Sequence, residues 1–299
     1  MVNKNIKCIL AVARSEYVKW ISNPRIIIIG VLLIFMHTLA VEPLLERADK
    51  IGLPLDILEP FAAIGNSGML VMLMPCVFLL LISDYPKMTG NTLFFVQRTG
   101  RWNWFVGQIV FMIYAIITFL IAILIGSVLI SKGDITGTWS DVITKYDAKF
   151  PNEAGSFTSQ LIPSNLYNQI TLPSAIIHTI ILMAAYMFLL AMVIYFFKLI
   201  HIQSFGLFAA VFVVATGVIT CSLKSETMWA FPMANTIVWL HYDEILKEPN
   251  FPVWCSYLYF GIAIMVVVIL NIIAIKRLEF LNIEMAVSYT HLTLPTNSL

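Results

Sequence analysis

Six stretches of the chain are apolar and free of Asp, Glu, Lys and Arg over most of a membrane's depth: 26–41, 61–82, 102–131, 172–197, 199–223 and 251–275. A hydrocarbon core about 30 Å thick takes about 20 mostly apolar residues per helix. The first stretch is short by that measure, and extending it to Leu45 puts Glu42 at the outer headgroup level. The third and fourth are long enough to tilt. Lys198 alone separates the fourth from the fifth. One helix over both would far exceed the membrane, so a tight turn is expected at 198–203.

A different periodicity precedes the first span. Ile6, Ile9, Leu10, Ala13, Tyr17, Trp20 and Ile21 recur at helical i, i+3, i+4, i+7 spacing, while Lys7, Arg14, Ser15 and Lys19 fall off that stripe. A basic helix with aromatic residues along its apolar face lies in the membrane interface, and Asn23-Pro24 ends it. Such a helix can be a topogenic anchor or a mechanical element.

Two polar connections are more apolar than loops need to be. Between spans two and three, Pro86, Gly90 and Gly100 punctuate the segment 84–101. They leave room for one short helix around 92–97. Its Leu93, Phe94, Phe95 and Val96, bordered by Arg98 and Arg101, would be either a docking patch or a loop dipping into the interface. In the last outer loop, 228–233 and 237–240 are too apolar for a plain exterior loop and too short and proline-broken to span. They are expected to be re-entrant or interfacial helices, or aromatic anchors at helix ends.

Composition agrees with a membrane chain: 60% of the residues are hydrophobic and 12% charged, against about 25% charged in soluble domains. With 18 Lys and Arg against 17 Asp and Glu, there is no basic excess for nucleic acid. Sorted by side of the membrane, the charges separate. One side carries eleven Lys and Arg against four acids, a net +7, and the other seven against thirteen, a net −6. Lys and Arg collect on cytoplasmic loops, so both termini are expected in the cytoplasm. No cleavable signal peptide is evident, because about 25 polar-to-amphipathic residues precede the first span. Cys221 and Cys255 fall near outer helix ends and could pair, but two buried free thiols are expected.

The fold class expected is therefore an all-α polytopic membrane protein with six transmembrane helices and an N-terminal amphipathic interfacial helix. Residues 1–25 form that helix, 26–277 the six-span domain and 278–286 a cytoplasmic C-terminal end. Residues 287–299 are expected to be non-native. Val287-Ser288-Tyr289-Thr290-His291-Leu292 resembles one translated frame of the transposon mosaic-end adapter of shotgun library preparation.

The segment after the second span resembles the ABC-2 type permeases, the membrane subunits of ATP-driven transporters. Thr89-Gly90-Asn91-Thr92, then Leu93 to Val96, then Arg98-Thr99-Gly100-Arg101 match the family's order of a Gly-Thr-like turn, a short hydrophobic helix and an Arg and Gly before span three. Arg14-Ser15-Glu16-Tyr17-Val18-Lys19, followed by Trp20, looks like the family's N-terminal helix. The likeness covers about residues 3 to 277. Asp84 stands further from the turn than the family's acidic residue, and Gln108 follows Gly107 where the family commonly has Lys. The resemblance implies an ATPase-coupling loop made of Asp84, Lys87, Thr89, Gly90, Thr92, Leu93, Phe94, Phe95, Arg98 and Arg101. It also implies a separate cytoplasmic ABC ATPase that carries the ATP and Mg, a second copy or a similar permease as partner, and export as the default direction. The expected location is a bacterial plasma membrane.

The chemistry on the chain fits an external energy source. No span has an Asp, Glu, Lys or Arg at mid-depth with which to bind a driving ion. There is no G-x-x-x-x-G-K-[ST] loop and no Gly-Lys dipeptide. His37, His178 and His201 lie toward span ends, where a lone His is usually a satisfied interfacial residue. No Cys/His cluster has metal spacing, and no cofactor or catalytic residue is expected on this chain. Two alternatives stand beside the permease. One is an intramembrane serine protease, prompted by Gly65-Asn66-Ser67-Gly68 with His178 as base, a pattern resembling the rhomboid motif. Small residues at helix contacts explain that motif as well, and Pro75 is expected to kink the second span. The other is a membrane anchor or sensor that transports nothing.

Overall fold

The computed structural model describes residues 2–68, 70–87, 90–131, 133–243 and 249–277. The C-terminal segments 278–286 and 287–299 lie outside them. In chain order the α-helices are α1 (Val2–Ile21), α2 (Ile27–Met36), α3 (Glu42–Ile51), α4 (Glu59–Asn66), α5 (Leu73–Ile82), α6 (Gly90–Thr99), α7 (Arg101–Ser131), α8 (Asp141–Lys149), α9 (Ser164–Tyr167), α10 (Leu172–Leu199), α11 (Gln203–Ser222), α12 (Pro232–Thr236) and α13 (Val253–Arg277). Among the described residues the only β contacts are two isolated bridges.

Among the described residues, five helical stretches are long and apolar enough to cross a membrane: Pro24–Ile51, Arg101–Ser131, Leu172–Leu199, Ser204–Ser222 and Val253–Arg277. The chain is a multi-pass α-helical membrane protein. The first of these stretches runs through α2 and α3 without stopping, but its middle, His37–Val41, is a π-helical turn. Pro43 supplies the reason: it has no N–H for the Leu39 carbonyl, and its ring crowds that carbonyl. The turn widens instead, and the Glu42 N–H bonds back to the His37 carbonyl. At the other sequence landmark, α10 ends at Leu199 and the chain reverses through His201, whose φ is 63°.

The expected second span differs. Residues 61–82 are not one helix: α4 stops at Asn66 and α5, only ten residues long, starts at Leu73. Pro75 does not kink a helix, because it lies in the first turn of α5, where a missing N–H costs nothing. The interruption begins at Ser67, which is extended. Non-helical backbone at membrane depth is tolerated where protein buries it; Ser67, Leu70 and Val71 are buried, and Gly68 is exposed.

α10 is the enclosed helix, touching α4, α5, α7, α11, α12 and α13. Its Leu182, Met183, Tyr186, Met187 and Tyr195 are fully buried. α11 and α13 keep one exposed apolar face each, with Phe205, Phe208 and Phe212 on the first and Leu258, Ile262 and Met265 on the second. α1 does not lie apart from the bundle. It runs beside the first half of α7 in the same direction: Asn5 meets Asn103, Val12 meets Gly107, and the Tyr17 hydroxyl is 2.8 Å from that of Thr118. Only glycine fits at 107, since a Cβ there would stand 2.6 Å from Val12 Cβ. The face α1 buries is Val12, Ala13, Glu16 and Trp20, while Ile6, Leu10 and Ile21 of the expected stripe remain exposed.

The charged residues fall at opposite ends of these helices. Arg25, Asp84, Lys198, Arg101 and Lys276 are joined by contacts at one end, hereafter the basic end. At the other, acidic end, Arg47 stands 3.6 Å from Asp147 and 4.3 Å from the centre of the Tyr146 ring, tying α3 to α8.

Candidate functional site

The segment singled out by sequence begins at a compact junction on the basic end. Asp84 pairs with Arg25 at 2.7 Å, which joins the end of α5 to the start of the α2 span. Tyr85 is buried; its hydroxyl donates to the Lys19 carbonyl at 2.9 Å and its ring lies against Phe111. Lys87 Nζ sits over the same Tyr85 ring, 5.6 Å from its centre. Lys198, at the end of α10, is buried and reaches the Pro86 carbonyl at 3.5 Å. Trp20 closes the junction from α1, donating its indole N–H to the Leu81 carbonyl at 3.2 Å. Five elements therefore meet at Tyr85.

α6 follows directly. Thr89 lies outside the described residues, as do the side chains of Thr92, Leu93 and Phe94 that follow Gly90, so the centre of the expected apolar patch is not described. The remaining turns are. Val96 is buried, and Phe95 and Arg98 are exposed. One residue, Gly100, separates α6 from α7, and its φ of 86° is the left-handed conformation that ends helices and favours glycine. Arg101 then reaches across to the Lys276 carbonyl at the end of α13. On α1, Glu16 is buried and pairs with exposed Lys19 at 2.8 Å, and Arg14 is exposed. The expected coupling residues Asp84, Lys87, Arg98 and Arg101 and the α1 residues Glu16, Tyr17, Lys19 and Trp20 thus come to one end of the molecule.

Gly65-Asn66-Ser67-Gly68 has a different role from the protease reading. A Cβ at Gly65 would fall 2.2 Å from Thr179 Cγ2, so glycine allows α4 to touch α10. Asn66 donates to the Ala62 carbonyl and to Thr179 Oγ1, accepts the Val238 N–H on its side chain, and accepts the Trp239 indole N–H on its carbonyl. It holds the broken second segment to α10 and to the last outer loop. Ser67 and His178 are not hydrogen-bonded to each other; His178 Nδ1 instead lies 2.6 Å from the Tyr257 hydroxyl. No family model, curated protein or solved structure matches the chain. All four cysteines are unpaired, Cys221 and Cys255 included.

Sequence reading missed a buried carboxylate pair at the acidic end. Asp56 accepts from the N–H groups of Leu58, Thr136 and Gly137 and from the Thr136 hydroxyl. Glu59 accepts from the N–H of Asp56 and from both the N–H and hydroxyl of Ser140. Burial pushes Asp56 up, but its four donors outweigh it and leave the carboxyl below its ordinary value. For Glu59 burial wins, raising it to about 7 against the pull of the Ser140 donors. The signal was present: Asp56-Ile57-Leu58-Glu59 before an apolar run is a capping-box pattern, in which the acid three residues on bonds back to the capping N–H. Here the same carboxylates also fasten the 134–140 segment to the start of α4.

Proposed function

We propose that the chain is the permease subunit of an ATP-driven, ABC-2-like transporter that pairs with a second permease and with two copies of a separate cytoplasmic ATPase. The observation that carries the reading is the joint at Gly100. A short helix at the basic end, with Phe95 and Arg98 outward, is joined by one residue to α7. α7 has 31 residues, hence a length of about 46 Å at about 1.5 Å per residue. A displacement of α6 by an ATPase would be passed to α7 and, through the Tyr85 junction, to α1, α5 and α10. At its far end α7 leads into the 134–140 segment held by Asp56 and Glu59. A tilt of α7 would then alter the acidic end, where the pathway would open. Export is the direction proposed, and the uncharged spans suit lipidic, hydrophobic-peptide or amphipathic cargo.

The test is co-purification of the full chain with the ATPase encoded beside it. Phe95→Asp combined with Arg98→Glu is expected to weaken that association at least tenfold while the permease still extracts and folds. Unchanged association and transport would overturn the proposal. The absence of any neighbouring gene with a phosphate loop would favour the anchor or sensor reading.

A further inference from the structure

His241 is fully buried in the last outer loop, and so are Asn235 and Ser256 beside it. The three form a chain. His241 Nδ1 lies 3.1 and 3.2 Å from the carbonyl oxygens of Ile237 and Val238, and Nε2 lies 2.8 Å from Ser256 Oγ. Ser256 Oγ is in turn 2.8 Å from Asn235 Oδ1. The Asn235 amide is fixed in orientation, because its NH2 donates to the carbonyls of Trp229 and Phe231 at 2.8 and 3.0 Å. Its oxygen must therefore face Ser256, and that oxygen can only accept.

The protons do not suffice for a neutral ring. A neutral imidazole carries one N–H. If the proton is on Nε2, the lone pair of Nδ1 points at two carbonyl oxygens. If it is on Nδ1, Nε2 and Asn235 Oδ1 compete for the single Ser256 hydroxyl proton, and one contact of 2.8 Å is left between lone pairs. With both nitrogens protonated every contact is satisfied: Nδ1–H donates to the two carbonyls, Nε2–H to Ser256, and the Ser256 hydroxyl to Asn235.

We infer that the His241–Ser256–Asn235 network is a proton-binding site whose occupancy holds the 231–242 segment closed against α4 and α13. The inference does not rest on the transport reading. Burial opposes it and, even with the Ile237 and Val238 carbonyls pulling up, lowers the His241 ring to about 4. What opposes burial is that the unprotonated ring leaves the closed segment with a repulsive, buried polar contact. The titratable groups on the described elements around it include Glu59 on α4, His178 and Tyr186 on α10, Cys221 on α11, Cys255, Tyr257 and Tyr259 on α13, Tyr242 and Asp243 beyond His241, Tyr167 on α9 and exposed Glu226 before Trp229. None of these is an acid bonded to the ring, and His178 repels its charge. Among the described residues the proton is thus held by dipoles and not by a counter-ion.

Closure reaches further because Val238 and Trp239 are the residues that bond to Asn66. Loss of the proton is expected to loosen that attachment, so the segment opens as pH rises. The test is nitrogen NMR of the full chain labelled on its five histidines, together with amide exchange at Val238 corrected for intrinsic rates. Between about pH 5 and about pH 8, His241 is expected to pass from two protonated nitrogens to one, and Val238 protection to fall at least tenfold in step. Ser256→Ala removes the acceptor of Nε2–H and is expected to lower the proton affinity at least tenfold, whereas Ser256→Thr keeps it. A His241 signal that stays singly protonated throughout, or Val238 protection that ignores pH, overturns the inference. The wild-type titration decides by itself if Ser256→Ala does not fold.

Discussion

Glu59 and Asp56 show how two carboxylates three residues apart acquire opposite character. Both are buried within one capping box, but Asp56 collects four donors and Glu59 three. The raised value of Glu59, about 7, has a definite consequence for stability. Its folded-state pKa lies above the unfolded value of about 4.3, so protonation favours the fold. That contribution is complete below the unfolded value and is lost as pH rises through about 7. The full swing is about 4 kcal/mol. Thermal melting of the detergent-solubilised protein is therefore expected to fall between about pH 5 and about pH 8, and Glu59→Gln, which keeps the shape, to flatten that fall. Equal pH slopes in both proteins would show that Glu59 is ionised without penalty. Other titrating groups are common to both proteins, so the difference between wild type and variant is the decisive quantity. The residue pattern that marks this pair was legible in the chain. Their second partners were not, because Thr136 and Ser140 lie 80 and 81 residues away.

Helix lengths follow from hydropathy alone, which is why α7, α10, α11 and α13 lie where the apolar stretches lie. The second stretch is just as apolar yet breaks after Asn66. The cause is distant: Asn66 is held by Thr179 and Val238, 113 and 172 residues along the chain. A local periodicity carries no information about such partners. α1 is a similar case, because α7 selects a face centred on Val12 and Trp20 and leaves Ile6 and Leu10 out. The contact of α4 with α10 can be tested as an element. Gly65→Ala places a methyl group 2.2 Å from Thr179 Cγ2 and is expected to destabilise the protein by about 1–3 kcal/mol. Thr179→Ser removes that carbon and keeps the hydroxyl that Asn66 donates to. The double variant is expected to recover most of the loss, since the next nearest atom, Thr179 Cβ, is 3.5 Å away. Simple additivity of the two single effects in a thermal-melting cycle would place the constraint elsewhere.

For the whole molecule, the decisive quantity is how the charge is divided and not its sum. A net charge of +1 conceals a basic end at the Tyr85 junction and an acidic end at Asp56, Glu59, Asp147 and Glu153, joined by α7. Chain orientation is set by the side on which short loops hold Lys and Arg, acids contributing little. The basic end is therefore expected to face the cytoplasm, where α6 can meet an ATPase. With Cys8, Cys76, Cys221 and Cys255 replaced by serine, exposed Ser22→Cys and Gln97→Cys at the basic end are expected to react with a membrane-impermeant maleimide only after cells are permeabilised. Ser156→Cys, exposed beside the acidic α8 end, is expected to react in intact cells. The opposite labelling would turn α6 away from ATP and remove the proposed transport mechanism, because α7 would then be moved from the wrong side. It would leave the His241 network untouched, since that rests on donor and acceptor positions within the loop. What would change is the compartment whose pH the network reads: the exterior in the expected orientation, the cytoplasm in the reverse.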